Sequence, residues 1–189
     1  MLLSDEELEE LFDHFEQSAF RLETLDYYGV ERDMQELRLY LAGEPHRPAV
    51  PEDVAAWNNQ IIAWVAEGKR YYRVHVVQSP LNDYLRFECE WGYVYTQRTG
   101  EEIFILDTAE RPRPEELPDE DFWLLDDDKV IRMHYDEEGR FVGGELLPGS
   151  EAPRYCRYRD MAVAAAVPFE EYWAAHPEYL RENWLKSGR

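Results

Sequence analysis

The run Tyr71-Tyr72-Arg73-Val74-His75-Val76-Val77 is aromatic and β-branched apart from one arginine and one histidine, and it predicts a buried strand. Ser79-Pro80 follows as an N-cap and a first-turn proline, which predicts a helix from Pro80 to about Tyr95. Along that helix Tyr84, Phe87, Trp91 and Tyr95 recur every three or four residues, a spacing that buries one face against a sheet. A base-stacking platform needs a basic groove beside its rings, and this acidic chain has none, so the rings read as core. The short apolar run Glu102-Ile103-Phe104-Ile105-Leu106-Asp107 completes a strand–helix–strand unit. Further on, Asp121-Phe122-Trp123-Leu124-Leu125-Asp126 and Lys129–Tyr135 are separated by Asp127 and Asp128, and the turn Asp136–Arg140 leads into Phe141–Leu147, an antiparallel meander. The expected fold is α+β: a mixed sheet of about five strands near 71–77, 102–107, 121–126, 129–135 and 140–147, with helices packed on it.

On the amino-terminal side, Ser4 and Glu7 form a capping-box pattern, and Leu8, Leu11, Phe12 and Phe15 continue at helical spacing, so a helix is expected from Asp5 to Gln17. Phe20–Leu25 fits either the end of that helix or a short strand and is read as a connector. Glu31–Leu41 is a second helix, ended by Gly43. The loop Glu44–Pro48 separates an N-terminal helical region, 1–43, from an α/β core with C-terminal helices, 51–189, within one structural domain. Pro51 restarts a helix that stops at Gly68. Beyond the meander, Ala152–Val167 reads as a helix, and Pro168 and Pro177 each open another. Arg111–Pro118 is a proline-rich surface loop.

The 189 residues carry 41 acidic against 20 basic side chains, a formal charge of −21. Such a chain gains nothing from neutralising phosphates, so direct nucleic-acid binding and an acidic membrane surface are both excluded as expectations. No apolar run approaches the length of a membrane span and the first residues lack a leader pattern, which predicts a cytoplasmic protein. Cys89 and Cys156 lack metal-ligand spacing and read as reduced and structural.

Alternation places Tyr71, Arg73, His75 and Val77 on one face of their strand, and Arg132 and His134 share a face of theirs. The two Arg/His pairs, with Asp126 and Asp127 supplying carboxylates, form a candidate anion-binding or acid–base cluster of Arg73, His75, Asp126, Arg132 and His134. The phosphate-loop, dinucleotide, nucleophile-elbow and zinc-protease motifs are absent, so no cofactor and no metal are expected.

The Arg73–Val77 strand, the helix segment Pro80-Leu81-Asn82-Asp83-Tyr84-Leu85-Arg86-Phe87-Glu88 and the strand Asp121–Asp126 resemble an uncharacterised actinobacterial family carrying a domain of unknown function. The resemblance runs from about Phe20 to Tyr172. Its members occur beside helix-turn-helix regulators, which implies a regulatory role exerted with a DNA-binding partner. A weaker similarity is to the phospholipase D half-domain. Setting that motif's aspartate at Asp126 puts Asp119 at its histidine and Asp121 at its lysine, so the similarity implies a degenerate, non-catalytic member lacking the His-Lys-Asp set.

The expected function is therefore a non-enzymatic interaction protein with a basic protein partner. The contact regions would be the acidic first helix (Glu6, Glu9, Glu10) and the loop carrying Glu115 and Glu116. The alternative is a small-molecule or phosphate-ester enzyme built on the Arg/His cluster.

Overall fold

The computed structural model describes residues 2–45 and 52–186. Strand β2 (Arg70–Val77) lies parallel to β3 (Glu102–Asp107), with Tyr72 opposite Glu102 and Val77 opposite Asp107. Its other neighbour is β1 (Ser18–Glu23), also parallel, with Ser18 opposite Arg70 and Glu23 opposite His75. The meander β4 (Phe122–Leu125), β5 (Lys129–Tyr135) and β6 (Phe141–Leu146) joins antiparallel to β1 through β4. The two-residue β7 (Val167–Pro168) closes the far side against β3. The result is one mixed sheet in the order β6-β5-β4-β1-β2-β3-β7.

All five expected strands are present, and β1 and β7 are additional. The segment read as a connector is thus the middle strand. Its alternation is hidden because Arg21 and Glu23 occupy inward positions, where they are only 7% and 5% exposed. Because β1 lies in the centre of the sheet, residues 1–43 share that sheet with the rest of the chain.

Helices cover both faces. On the first, α1 (Asp5–Asp13) and α3 (Glu52–Ala66) bury Phe12, Ile61 and Trp64 against Tyr71, Trp123 and Ile131. On the same face, α2 (Glu31–Leu41), α4 (Asp83–Phe87) and the turns after it pack around Val77, Ile103 and Ile105. After α4 the chain forms a π-helical turn, Glu88–Tyr93, then the single turn α5 (Val94–Thr96). Helix α6 (Ala152–Ala165) covers the second face, where Phe20, Leu22, Tyr72, Val74, Phe122 and Leu124 surround Tyr155. The carboxy-terminal α7 (Phe169–Ala175) and α8 (Arg181–Lys186) return to the first face through Phe169, Tyr172 and Trp184.

Four helix boundaries differ from expectation. Helix α1 stops at Asp13 rather than Gln17, because the Asp126 carboxylate accepts the N–H groups of Glu16, Gln17 and Ser18 at 2.7–2.9 Å and draws them into the approach to β1. Helix α4 begins at Asp83 rather than Pro80: Asn82 caps it by accepting the Leu85 N–H at 2.8 Å, while the Ser79 N–H donates to Asp107 at 3.0 Å. Helix α6 ends at Ala165 before β7. Helix α8 begins at Arg181, after a 3-10 turn at Pro177–Tyr179, rather than at Pro177. The boundary loop from His46 to Pro48 and the restart at Pro51 lie outside the described residues.

The connection into α2 is zipped to the β5–β6 turn, the Gly29 N–H donating to the Gly139 carbonyl at 2.9 Å. Gly139 has φ +71°, and a Cβ there would sit 2.8 Å from the Tyr27 carbonyl oxygen. A side chain at this position meets both backbone strain and a backbone atom that cannot swing away. Gly139→Ala is expected to lower stability by about 1–3 kcal/mol in urea denaturation, whereas Gly149→Ala, which has open space around it, should change it little.

Candidate functional site

Arg21 lies opposite Arg73 and Glu23 opposite His75. With a side-chain period of two, all four project from the same face, Glu23 at the last position of β1 and Arg73 and His75 within β2. Here they form a buried ionic network. Glu23 accepts from Arg21 Nε at 3.0 Å and from Arg73 Nη1 at 3.0 and 3.1 Å. Arg21 also reaches Asp121 at 3.2 Å and the Tyr135 hydroxyl at 2.5 Å, while Arg73 Nε donates to Glu101 at 2.6 Å. Asp121 takes the Thr24 N–H at 2.7 Å and the Tyr28 hydroxyl at 2.6 Å, which ties the chain leaving β1 to the start of β4.

His75 is wholly buried. Its Nε2 lies 2.9 Å from the Leu25 carbonyl and its Nδ1 2.7 Å from the Tyr93 hydroxyl. Glu88, at the start of the π-helical turn, places Oε2 3.4 Å from the same Nδ1. Burial opposes ionisation of Glu23, but Arg73 and then Arg21 outweigh it and bring its pKa down to about 2. Glu88 has no such pair of cations: burial dominates and pushes it up to about 7. Burial likewise raises Glu101 in spite of Arg73.

The expected cluster does not assemble. Arg73 and His75 share a face, but Phe122 pairs with Arg132, one position out of step with the Arg21–Trp123–Ile131 row, so Arg132 and His134 lie on the opposite face. There Arg132 meets Glu120 at 2.9 Å and Tyr155 at 3.2 Å, and His134 meets Glu145 at 3.2 Å. Asp126 caps the approach to β1 instead of orienting an imidazole, and Asp127 holds Arg159. The residues that sequence reasoning missed are Arg21, Glu23, Glu88, Glu101 and Asp121. A detectable signal existed, since Arg21-x-Glu23 repeats the period-two spacing of Arg73-x-His75.

The family model described as a domain of unknown function, DUF6879, matches residues 6–174. The chain belongs to the DUF6879 family. No curated protein and no solved structure matches it. The DUF6879 match takes in every strand of the sheet and every residue of the ionic network.

A concavity of about 480 Å³ opens at the amino-terminal end of β1 and β2 and is lined by Ser18, Arg70, Tyr72, Arg159, Asp160, Val163 and Ala164. Its arginines already have carboxylate partners: Arg70 forks onto Glu102 with two 2.8 Å bonds, and Arg159 binds Asp127 and Asp160. Both cysteines are free thiols.

Glu23→Gln leaves two buried guanidiniums facing a neutral amide and should cost about 3–5 kcal/mol in chemical denaturation. The depressed Glu23 pKa also fixes a sign. Its stabilisation is complete above the ordinary 4.5 and is lost as pH falls toward about 2, so wild-type stability should decline across that window and the Glu23→Gln variant should decline less steeply.

Proposed function

We propose that the chain is a non-enzymatic cytoplasmic interaction protein that binds a basic protein partner, for which a DNA-binding helix-turn-helix regulator is the candidate class. The observation that carries this reading is the division of charge. The ionisable groups of the central strands are tied to one another inside the protein, whereas Glu6, Glu9, Glu10 and Asp13 of α1 are exposed and the helix has no basic residue in its last turn. Trp57 of α3, 41% exposed, flanks this helix with its ring 6.0 Å from that of Phe12 and offers an aromatic face to a partner's lysine or arginine. No helix among the described residues is long and apolar enough to cross a membrane.

The second expected contact region is separate. Glu115 and Glu116 are exposed, but they adjoin Leu117, which packs into the core under α6 on the second face. One flat interface does not reach both patches, and α1 is the stronger candidate because it carries more carboxylates beside an exposed indole. The enzyme reading depended on convergence of two Arg/His pairs that occupy opposite faces.

The test uses the full chain as bait for its native partner. Charge reversal at Glu6, Glu9 and Glu10 to lysine should weaken capture at least tenfold, and capture by the wild type should fall as salt rises from about 0.1 to 1 M. Unchanged affinity and salt dependence after the reversal would remove α1 from the interface, and tight binding of duplex DNA by the chain alone would contradict the reading.

A further inference from the structure

We propose that His75 and Glu88 form a proton-held latch that seats the π-helical turn Glu88–Tyr93 on the sheet and releases it when the pair's proton leaves.

The hydrogens on the imidazole can be assigned from its neighbours. His75 Nε2 faces the Leu25 carbonyl at 2.9 Å; a carbonyl only accepts, so Nε2 carries a hydrogen. On the other side of the ring, the Tyr93 hydroxyl is 2.7 Å from Nδ1 and 3.1 Å from Glu23 Oε2. Tyrosine has one hydroxyl hydrogen. Both contacts are hydrogen bonds at once only when Nδ1 also carries a hydrogen and donates to Tyr93, which then donates to Glu23. The arrangement therefore fits an imidazolium whose nearby carboxylates are Glu88, 3.4 Å from Nδ1, and Glu23, 4.0 Å away. Moving the proton to Glu88 keeps the total charge unchanged. Glu88 Oε2 is buried with no hydrogen-bond donor, so the charge on the ring 3.4 Å away is what balances it. Removing the proton leaves Tyr93 to choose between His75 and Glu23 and leaves the Glu88 carboxylate without that positive neighbour.

Other groups facing the pair decide how costly that loss is. From β1 come Glu23 and Arg21, from β2 Arg73, from α2 Asp33, from α4 Tyr84, from the connection after β1 Tyr28, and from the turn itself Cys89 and Tyr93. Both arginines are already engaged by Glu23, Glu101 and Asp121, so neither is released to Glu88. In keeping with this, burial holds the Glu88 carboxyl up near 7. A folded pKa above the ordinary 4.5 means the folded state keeps a proton that the unfolded chain gives up, so this contribution is complete below about 4.5 and disappears as pH rises through 7.

Releasing the turn has consequences elsewhere in the fold. Glu90, within it, accepts from the Tyr40 hydroxyl of α2 at 2.9 Å and from the Arg181 N–H of α8 at 2.7 Å. The latch therefore links protonation near neutral pH to the seating of α2 and the carboxy-terminal helices. π-Helical turns recur at functional positions, and here the turn presents Glu88 to the sheet.

Amide hydrogen exchange of the full chain, normalised to intrinsic exchange rates, tests the latch at about pH 6 and about pH 8.5. The expected result is that amides of residues 88–96 lose at least tenfold protection between the two pH values relative to amides of β4 and β5. The Glu88→Gln variant, neutral at this position throughout, should keep the protection of the lower pH at both. Equal changes in the turn and in β4 overturn the proposal from the wild type alone, as does the same pH dependence persisting in the Glu88→Gln variant.

Discussion

Two guanidinium groups closing on one buried carboxylate, Glu23, set the terms for the middle of this protein. Removing three charges from water is expensive, and Coulombic attraction in a low-dielectric interior offsets that cost only when the hydrogen bonding is nearly complete. The structure meets the condition with a chain of donors and acceptors, Asp121–Arg21–Glu23–Arg73–Glu101, spanning strands β1 and β2 and the residues just before β3 and β4. These contacts fix which strands neighbour one another. A one-residue slip of β1 against β2 would turn Arg21 and Glu23 to the second face, into the apolar packing of Tyr155 and Phe122.

The same constraint explains what could be read in the sequence. The five strands with clean apolar alternation or short apolar runs, and the helices with amphipathic stripes, are legible from local pattern. Strand β1 is not, because its inward positions carry Arg21 and Glu23, and a local rule assigns charges to solvent. The network escapes for a related reason: its members come from positions 21, 23, 73, 88, 101 and 121, and only the parallel pairing of β1 with β2 brings them together. Arg73 and His75 are found as a pair by alternation. Joining them to Arg132 and His134 fails, since the phase of β5 relative to β1 depends on the turn at Asp126–Asp128 and on register across β4. Both Asp126 and Asp127 adopt positive φ in that turn, and their side chains serve the approach to β1 and α6.

Charge is therefore divided between interior and surface. Inside, acids and bases are paired with few groups to spare, and Glu88 is the member without a guanidinium partner. Outside, the excess of acid is displayed on α1 and on the loop before β4, two surfaces separated by the thickness of the sheet and its covering helices. A partner recognising one of them need not perturb the other, and neither surface draws on the network for its charge.

Carbon-13 NMR titration of the Glu23 and Glu88 carboxyl groups tests most directly whether one buried network holds both. Glu23 should stay ionised down to a midpoint of about 2, while the Glu88 signal should report uptake of the proton it shares with His75 with a midpoint of about 7. Midpoints for both near the ordinary 4.5 would mean that neither carboxylate is held as described, and would contradict the central role assigned to the network.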